Sequence, residues 1–316
     1  MGTARYLITE NGLKQIIVFL VIILSICTEA SRAQQNPVYS QYLFDGLVLN
    51  PAYAGNQEQL DIIALYRKQW DNFEGAPSTG TISANYRPED SRIGIAVLAG
   101  FDQIGVHKNN RLSANYAYKL PLGRGMLSMG LRAGFSFLQS DFSNLTIRAN
   151  NDPLLNTSET DFNPNVGTGL YYSTNDLFIG ISVPQLINNR IREGSVTDIP
   201  IAARQARNYF INAGKVFTLN EFFKVMPSVL VSMQEGNATT LDVNANVILD
   251  DVLTAGVSYR SEDAIIFNFE LKLNDNFLFG YAYDYTTSEI GQYASGSHEI
   301  MLNYKIPFSK RCHAYF

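Results

Sequence analysis

Apolar and polar residues alternate one by one along most of this chain. Leu112, Ala114, Tyr116, Tyr118 and Leu120 stand between Arg111, Ser113, Asn115, Ala117 and Lys119. The same pattern returns from Leu241 to Leu249, from Phe277 to Tyr285 and from Ile300 to Ile306. Period two sends the two sets to opposite faces of a β-strand. About fourteen segments follow it, near 61–70, 78–87, 92–101, 109–120, 125–139, 165–174, 177–184, 207–218, 223–234, 239–249, 252–260, 263–273, 276–286 and 297–306. Most run about ten residues. That exceeds the roughly five or six of a globular strand and suits the roughly nine to eleven of a tilted bilayer-spanning strand. Ten of the eleven prolines fall in the leader, in connections or at strand ends; Pro227, inside a predicted strand, marks a bulge or a late strand start.

The connections alternate as well. Every second one is tight: 88–91, 121–124, 175–176, 219–222, 250–251 and 274–275. The long ones, 140–164, 185–206 and 287–296, all fall in the other set. Short periplasmic turns opposite longer outer loops characterise outer-membrane barrels. The pattern therefore predicts an all-β fold, a transmembrane outer-membrane β-barrel of about 14 antiparallel strands over 61–308. A short N-terminal segment, 34–60, precedes it as a periplasmic flap or lumen plug, and a periplasmic tail, 309–316, follows. A soluble β-sandwich also alternates, but fourteen long strands would divide into two domains, and no linker divides these.

In this barrel the apolar set faces lipid. The lumen receives Arg87, Arg111, Lys119, Arg132, Asp242, Glu270, Lys272, Asp284, Glu299 and Lys305, with glycines at 94, 130, 134, 167, 169, 256 and 280.

Composition sharpens the picture. Of 316 residues 46% are apolar and 17% charged, which excludes a disordered chain. The longest apolar run, Ile16–Cys27, is too short for a membrane helix. Arg5 and Lys14 precede it and Ser31-Arg32-Ala33 follows, the layout of a secretory signal peptide over 1–33. Ile26 before Cys27 argues against lipidation. Removing that segment leaves 21 basic and 27 acidic residues of the original 24 and 29, a balance unsuited to nucleic acid. Cys312 alone remains, so no intrachain disulfide is expected.

The lead-in does not alternate. Leu43, Phe44, Leu47 and Val48 fit one face of a short helix, which Pro51 would end. Pro37, Ser40-Gln41-Tyr42 and Asn50-Pro51-Ala52-Tyr53-Ala54-Gly55 resemble the N-terminal motif of the PorP/SprF family. Arg67-x-Gln69-Trp70 and Gly75-Ala76-Pro77-x-Thr79 resemble its next stretch. The motif match covers residues 37–79, and Asp45-Gly46 departs from its middle.

The resemblance implies an outer-membrane component of the type IX secretion and gliding machinery of Bacteroidota, and not an enzyme. Such proteins contact periplasmic motor and peptidoglycan-binding subunits, or serve secreted adhesins that carry a type B C-terminal sorting domain. Gln41, Tyr42, Asn50, Pro51, Ala52, Tyr53, Gly55, Arg67 and Trp70 are the candidate partner-binding residues by that motif. The alternative is a plugged channel for small or hydrophobic molecules, since fourteen strands behind an Asn-Pro-Ala lead-in resemble the long-chain fatty-acid transporters.

No chemistry competes with this. Ser297-His298-Glu299 is consecutive on a strand, where neighbours face opposite ways, so the Ser and His cannot meet as nucleophile and base. Asp141, Asp152, Glu159 and Asp161 match no calcium-loop spacing. With no phosphate-binding glycine loop and no Cys/His metal spacing, no catalytic residue, cofactor or metal is expected.

Overall fold

The computed structural model describes residues 39–141, 158–192 and 202–307. Its wall is built from β1 (Leu60–Lys68), β2 (Ser78–Tyr86), β3 (Ile93–Ile104), β4 (His107–Leu122), β5 (Gly125–Asp141), β6 (Ser158–Ser173) and β7 (Leu177–Val183). After a small separate hairpin of β8 (Arg190–Arg192) and β9 (Ala202–Arg204), the wall resumes with β10 (Asn208–Lys215) and its continuation β11 (Phe217–Thr218). It ends with β12 (Phe223–Gln234), β13 (Thr240–Leu249), β14 (Leu253–Arg260), β15 (Ala264–Lys272), β16 (Phe277–Thr286) and β17 (Ser297–Ile306). Each wall strand pairs antiparallel with the next, and β1 pairs with β17, which closes a barrel of 14 strands. Closure leaves no edge, so every backbone group at membrane depth can be satisfied.

The predicted phase holds. Ile82, Val97, Leu131, Phe267 and Leu302 point outward and are half exposed or more. Asn115, Lys119, Asp242, Asn246, Asp284 and Glu299 point inward and are buried. Outward aromatics gather near both rims, with Phe101, Phe135, Phe137 and Phe162 toward the long loops and Phe217, Phe222, Phe223 and Phe277 toward the short turns. Such belts mark the two lipid–water boundaries. The turn between β13 and β14 places Asp250 and Asp251 at φ of 51° and 52°, the left-handed pair that a two-residue hairpin turn requires.

Two expectations about strands change. β6 begins at Ser158 and β5 runs to Asp141, so the predicted loop 140–164 shrinks to 142–157, which lies outside the described residues. Pro164 therefore sits inside β6, paired with Phe135. There β6 has outrun β7, whose pairing reaches only from Thr168 to Ser173, so the missing N–H removes no ladder bond. Pro227 marks neither a bulge nor a strand start. It lies within β12, and the ladder to the neighbouring strand lapses between Gly214↔Ser228 and Phe217↔Val225 without a change of register.

The lead-in occupies the lumen, running from Ser40, beside Asp284 and Glu299 toward the long-loop end, to Gly55, beside Gly94 near the short turns. Its predicted helix is not α-helical. Two 3₁₀ turns stand there instead, Gly46–Val48 and Pro51–Tyr53, each begun by a side chain that accepts a backbone N–H: Asp45 from Leu47 and Asn50 from Ala52. Pro51 opens the second turn rather than ending the first, because its fixed φ suits a first helical position and needs no N–H there. Residues 1–33 and 309–316, predicted as signal peptide and tail, lie outside the described residues, as does Cys312.

Candidate functional site

The plug and the wall meet through small residues, buried charges and a compact apolar cluster. Tyr39, Tyr42, Val48 and Leu49 of the plug pack with Leu65 of β1 and Leu230 of β12. Leu47 and Ala54 pack with Ala96 and Ala117 of β3 and β4. At about 25 cal/mol per Å² of apolar surface removed from water, such side chains each contribute on the order of 1.5–3 kcal/mol. These inward apolar positions run against the expectation that apolar side chains face lipid. β1 shows why: Ile63 and Leu65 are buried on the inward face, where Leu65 packs on the plug, while Ile62 and Ala64 face outward to lipid, so both faces are dry.

Lumen glycines let the plug backbone come close. A Cβ on Gly94 would strike the Ala54 carbonyl, on Gly130 the Ala52 backbone, on Gly169 the Asn50 side chain, and on Gly280 the Gln41 amide. Four glycines predicted to face the lumen are thus the seats of Gln41 and the Asn-Pro-Ala-Tyr-Ala-Gly stretch. The small plug residues complete the fit. Gly55, at φ 65°, rests against Gly94, and its N–H donates to Asn85. Asn50 Nδ2 donates to the Leu170 carbonyl at 3.0 Å, and Ser182 Oγ donates to the Leu49 carbonyl at 2.8 Å.

Charge holds the other end. Arg67 Nη2 lies 2.6 Å from Asp284 and Nη1 3.3 Å from Glu299. Arg260 holds Asp242 at 3.0 Å and donates to the Tyr39 carbonyl at 3.3 Å. The plug completes the network. Ser40 and Gln41 N–H donate to the two Glu299 oxygens at 2.9 and 2.7 Å, and Ser40 Oγ donates to Asp284 at 2.8 Å while accepting from Arg67 at 2.9 Å. Glu299, Arg260, Asp242 and Asp284 are among the most deeply buried side chains of the described residues. Buried ions are tolerated when paired and hydrogen-bonded on all sides, and here the plug backbone supplies part of that pairing.

Nearer the short turns, Asp45 accepts from Leu47 N–H and from Ser83, both at 3.3 Å. Burial pushes its carboxyl up to about 7 despite those bonds. The Tyr42 hydroxyl accepts from Asn244 at 2.6 Å, and burial raises its pKa, with the Asp242 charge adding to the rise. Arg132 donates to Asn115 at 2.6 Å and to the Leu47 carbonyl.

Eight of the nine motif residues come together around this plug. Gln41, Tyr42, Asn50, Pro51, Ala52 and Gly55 are buried in it, Tyr53 makes an edge-on ring contact with Tyr171 at 5.5 Å, and Arg67 faces it from the wall. Trp70 stands apart in the β1–β2 loop, where its N–H donates to Ser297 at 3.1 Å. Arg87 and Lys272, assigned to the lumen, lie toward the short turns and pair with Glu58 and Asp275. His298 turns outward and bonds the Tyr281 hydroxyl at 2.8 Å, while Glu299 turns inward to Arg67. Arg260, Asp242's partner, was not singled out from the sequence. Its phase with Ser258 and Gly256 on β14 carried the signal.

A model of the family described as type IX secretion system membrane protein PorP/SprF matches residues 31–304. The chain belongs to the PorP/SprF family. The match reaches well beyond the motif at 37–79 and covers the barrel itself. This PorP/SprF protein is an outer-membrane β-barrel component of type IX secretion. No curated protein matches its sequence. Solved barrels are similar at low identity. The Acinetobacter baumannii outer membrane protein Omp33 shows 8% identity over 80% of this chain and 100% of its own, with a TM-score of 0.45. The CymD monoaromatic hydrocarbon channel shows 11% over 84% and 92%, at 0.48. The translocator domain of the autotransporter NalP from Neisseria meningitidis shows 10% over 93% and 98%, at 0.43.

Proposed function

We propose that this barrel is a non-enzymatic scaffold that binds, presents or anchors an exported surface protein, an adhesin with a type B C-terminal sorting domain. The observation that carries the reading is the filled lumen. A barrel whose interior is occupied by its own residues 39–56, seated on wall glycines and tied into a buried ion network, is suited to holding a partner rather than passing one through. Strands β5, β6, β7 and β10 have their loop-bearing ends at one rim, and in this reading the connections between them, 142–157 and 184–207, are the surface offered to the exported protein. The short turns face the periplasm and meet the motor or peptidoglycan-binding subunits. In this reading residues 1–33 are the discarded signal peptide, and Gln41, Tyr42, Asn50, Pro51, Ala52, Tyr53, Gly55 and Arg67 serve partner binding by holding the plug that shapes the receiving face.

The test is deletion of the gene followed by surface labelling of secreted proteins, with affinity purification of the barrel from native membranes. Loss of one secreted protein from the surface, and its recovery with the barrel, is the expected result; unchanged display overturns the reading. The channel alternative predicts the reverse: normal display in the deletion strain and steady ion conductance by the purified barrel in a planar bilayer.

A further inference from the structure

On the long-loop side of the plug lies a cavity of about 90 Å³ whose floor is Tyr39, Val48 and Leu49. Its wall carries Arg111 and Arg132 and a set of amides and hydroxyls, and none of its lining residues is acidic. This stands out in a chain with 29 acidic and 24 basic residues. Among the described residues neither arginine has a carboxylate within ion-pair distance. The nearby carboxylates are engaged elsewhere: Asp102 accepts from Thr79 at 2.6 Å, and Asp45 from Leu47 and Ser83. Arg111 Nη2 donates to the Tyr39 hydroxyl at 3.3 Å, and Arg132 is turned by Asn115 and the Leu47 carbonyl. Each guanidinium offers five N–H donors, so both keep donors free toward the cavity.

We propose that this cavity is a carboxylate-binding seat, with Arg111 and Arg132 as its cations. Two like charges in a partly desolvated pocket repel, and a bound anion offsets that cost while taking up the free donors. The enclosed space holds several waters, at roughly 10–15 Å³ for each, or one carboxylate with its nearest carbons. The plug closes the floor, so the ligand enters from the long-loop rim and stops there. The amides of Asn163, Asn165, Gln185 and Gln205 border its path and suit an uncharged polar continuation. A free organic acid and the carboxyl end of a polypeptide share this chemistry, and the seat stands whether or not the barrel anchors an adhesin.

The test uses the full-length barrel in detergent at low ionic strength, titrated calorimetrically with succinate, with a short neutral peptide bearing a free α-carboxylate, and with the same peptide amidated. At least one carboxylate probe binds, the amidated peptide does not, and Arg111→Gln weakens binding about tenfold or more. Tighter binding of the free peptide assigns the seat to a chain end, and tighter binding of succinate to a free acid. Because Arg111 also touches Tyr39, a second measurement uses the unaltered protein. A bound carboxylate slows dicarbonyl modification of Arg111 and Arg132, read by mass spectrometry, relative to exposed Arg92. Equal binding of the amidated peptide, or no protection at either arginine by any probe, overturns the proposal.

Discussion

Arg67 and Asp284 face each other across the lumen wall at 2.6 Å, and the Ser40 hydroxyl of the plug closes the triangle, accepting from one at 2.9 Å and donating to the other at 2.8 Å. The plug is thus part of the charge balance of the wall. With the plug withdrawn, Glu299 would lose both backbone N–H donors and Asp284 its hydroxyl. Barrel assembly and plug docking are coupled through these acids, which gives the family motif a structural reason that reaches from residue 40 to residue 299.

Replacing Arg67 with Met tests that coupling. It removes a cation from two buried carboxylates, and breaking a buried pair on one side costs about 3–5 kcal/mol. The expected outcome is an assembled barrel with a loosened plug, seen as faster protease cleavage within 39–56. Glu299→Gln in the same background should recover part of the loss, since it removes one of the charges left unpaired.

Gly130→Val separates steric seating from charge. A Cβ there meets the Ala52 backbone, so the side chain and the plug cannot share the space. The plug should withdraw and the purified variant should conduct ions in a planar bilayer where the parent barrel does not. Ala133→Val, whose side chain faces outward on the same strand, should leave conductance unchanged.

Ile82→Arg probes the membrane face. Ile82 lies mid-strand on β2, is 59% exposed and faces outward, so the substitution places a guanidinium in hydrocarbon at a cost of roughly 2–4 kcal/mol. Reversible unfolding in lipid vesicles measures it. A neutral result would mean that the inward and outward faces of β2 are exchanged.

Much of this was legible in the chain. Period two fixes the face of every residue once the phase is known, because a one-residue slip turns all side chains over. That is why the lumen positions of Asp242, Asp284 and Glu299 follow from the sequence alone. The plug was harder to read. Leu43, Phe44, Leu47 and Val48 carry a helical spacing, yet Asp45 and Asn50 draw backbone N–H groups into local caps, and the segment settles into two 3₁₀ turns. The meeting of plug and wall left only a faint trace: the unbroken apolar run Ile62-Ile63-Ala64-Leu65 on β1, where alternation lapses because lipid lies on one side and the plug on the other. The pairing of Lys119 with Ser128 follows from strand register, but that of Ser40 with Glu299 does not, since no local rule joins residues so far apart.

Acidity should tighten the plug through Asp45. Burial holds its carboxyl at about 7, well above its ordinary value near 3.8, so the docked plug binds a proton more readily than the free segment does. For an acid whose pKa rises on docking, the stabilisation is fully present below the free value and is lost as pH climbs through the docked one. Between about pH 4 and 7 docking therefore weakens with rising pH, and above 7 this contribution is gone. Protease protection of 39–56, followed from pH 5 to 8 in the folded barrel, should fall across that range. Asp45→Asn keeps an oxygen to accept the Leu47 N–H but has no proton to lose, so its protection should be flat at the level the parent reaches at low pH. A parent profile that is itself flat would mean that Asp45 reaches water in the docked state. A slope that survives in Asp45→Asn would move the titration to another group that faces the plug, Asp61 first among them, whose charge bears directly on Asp45.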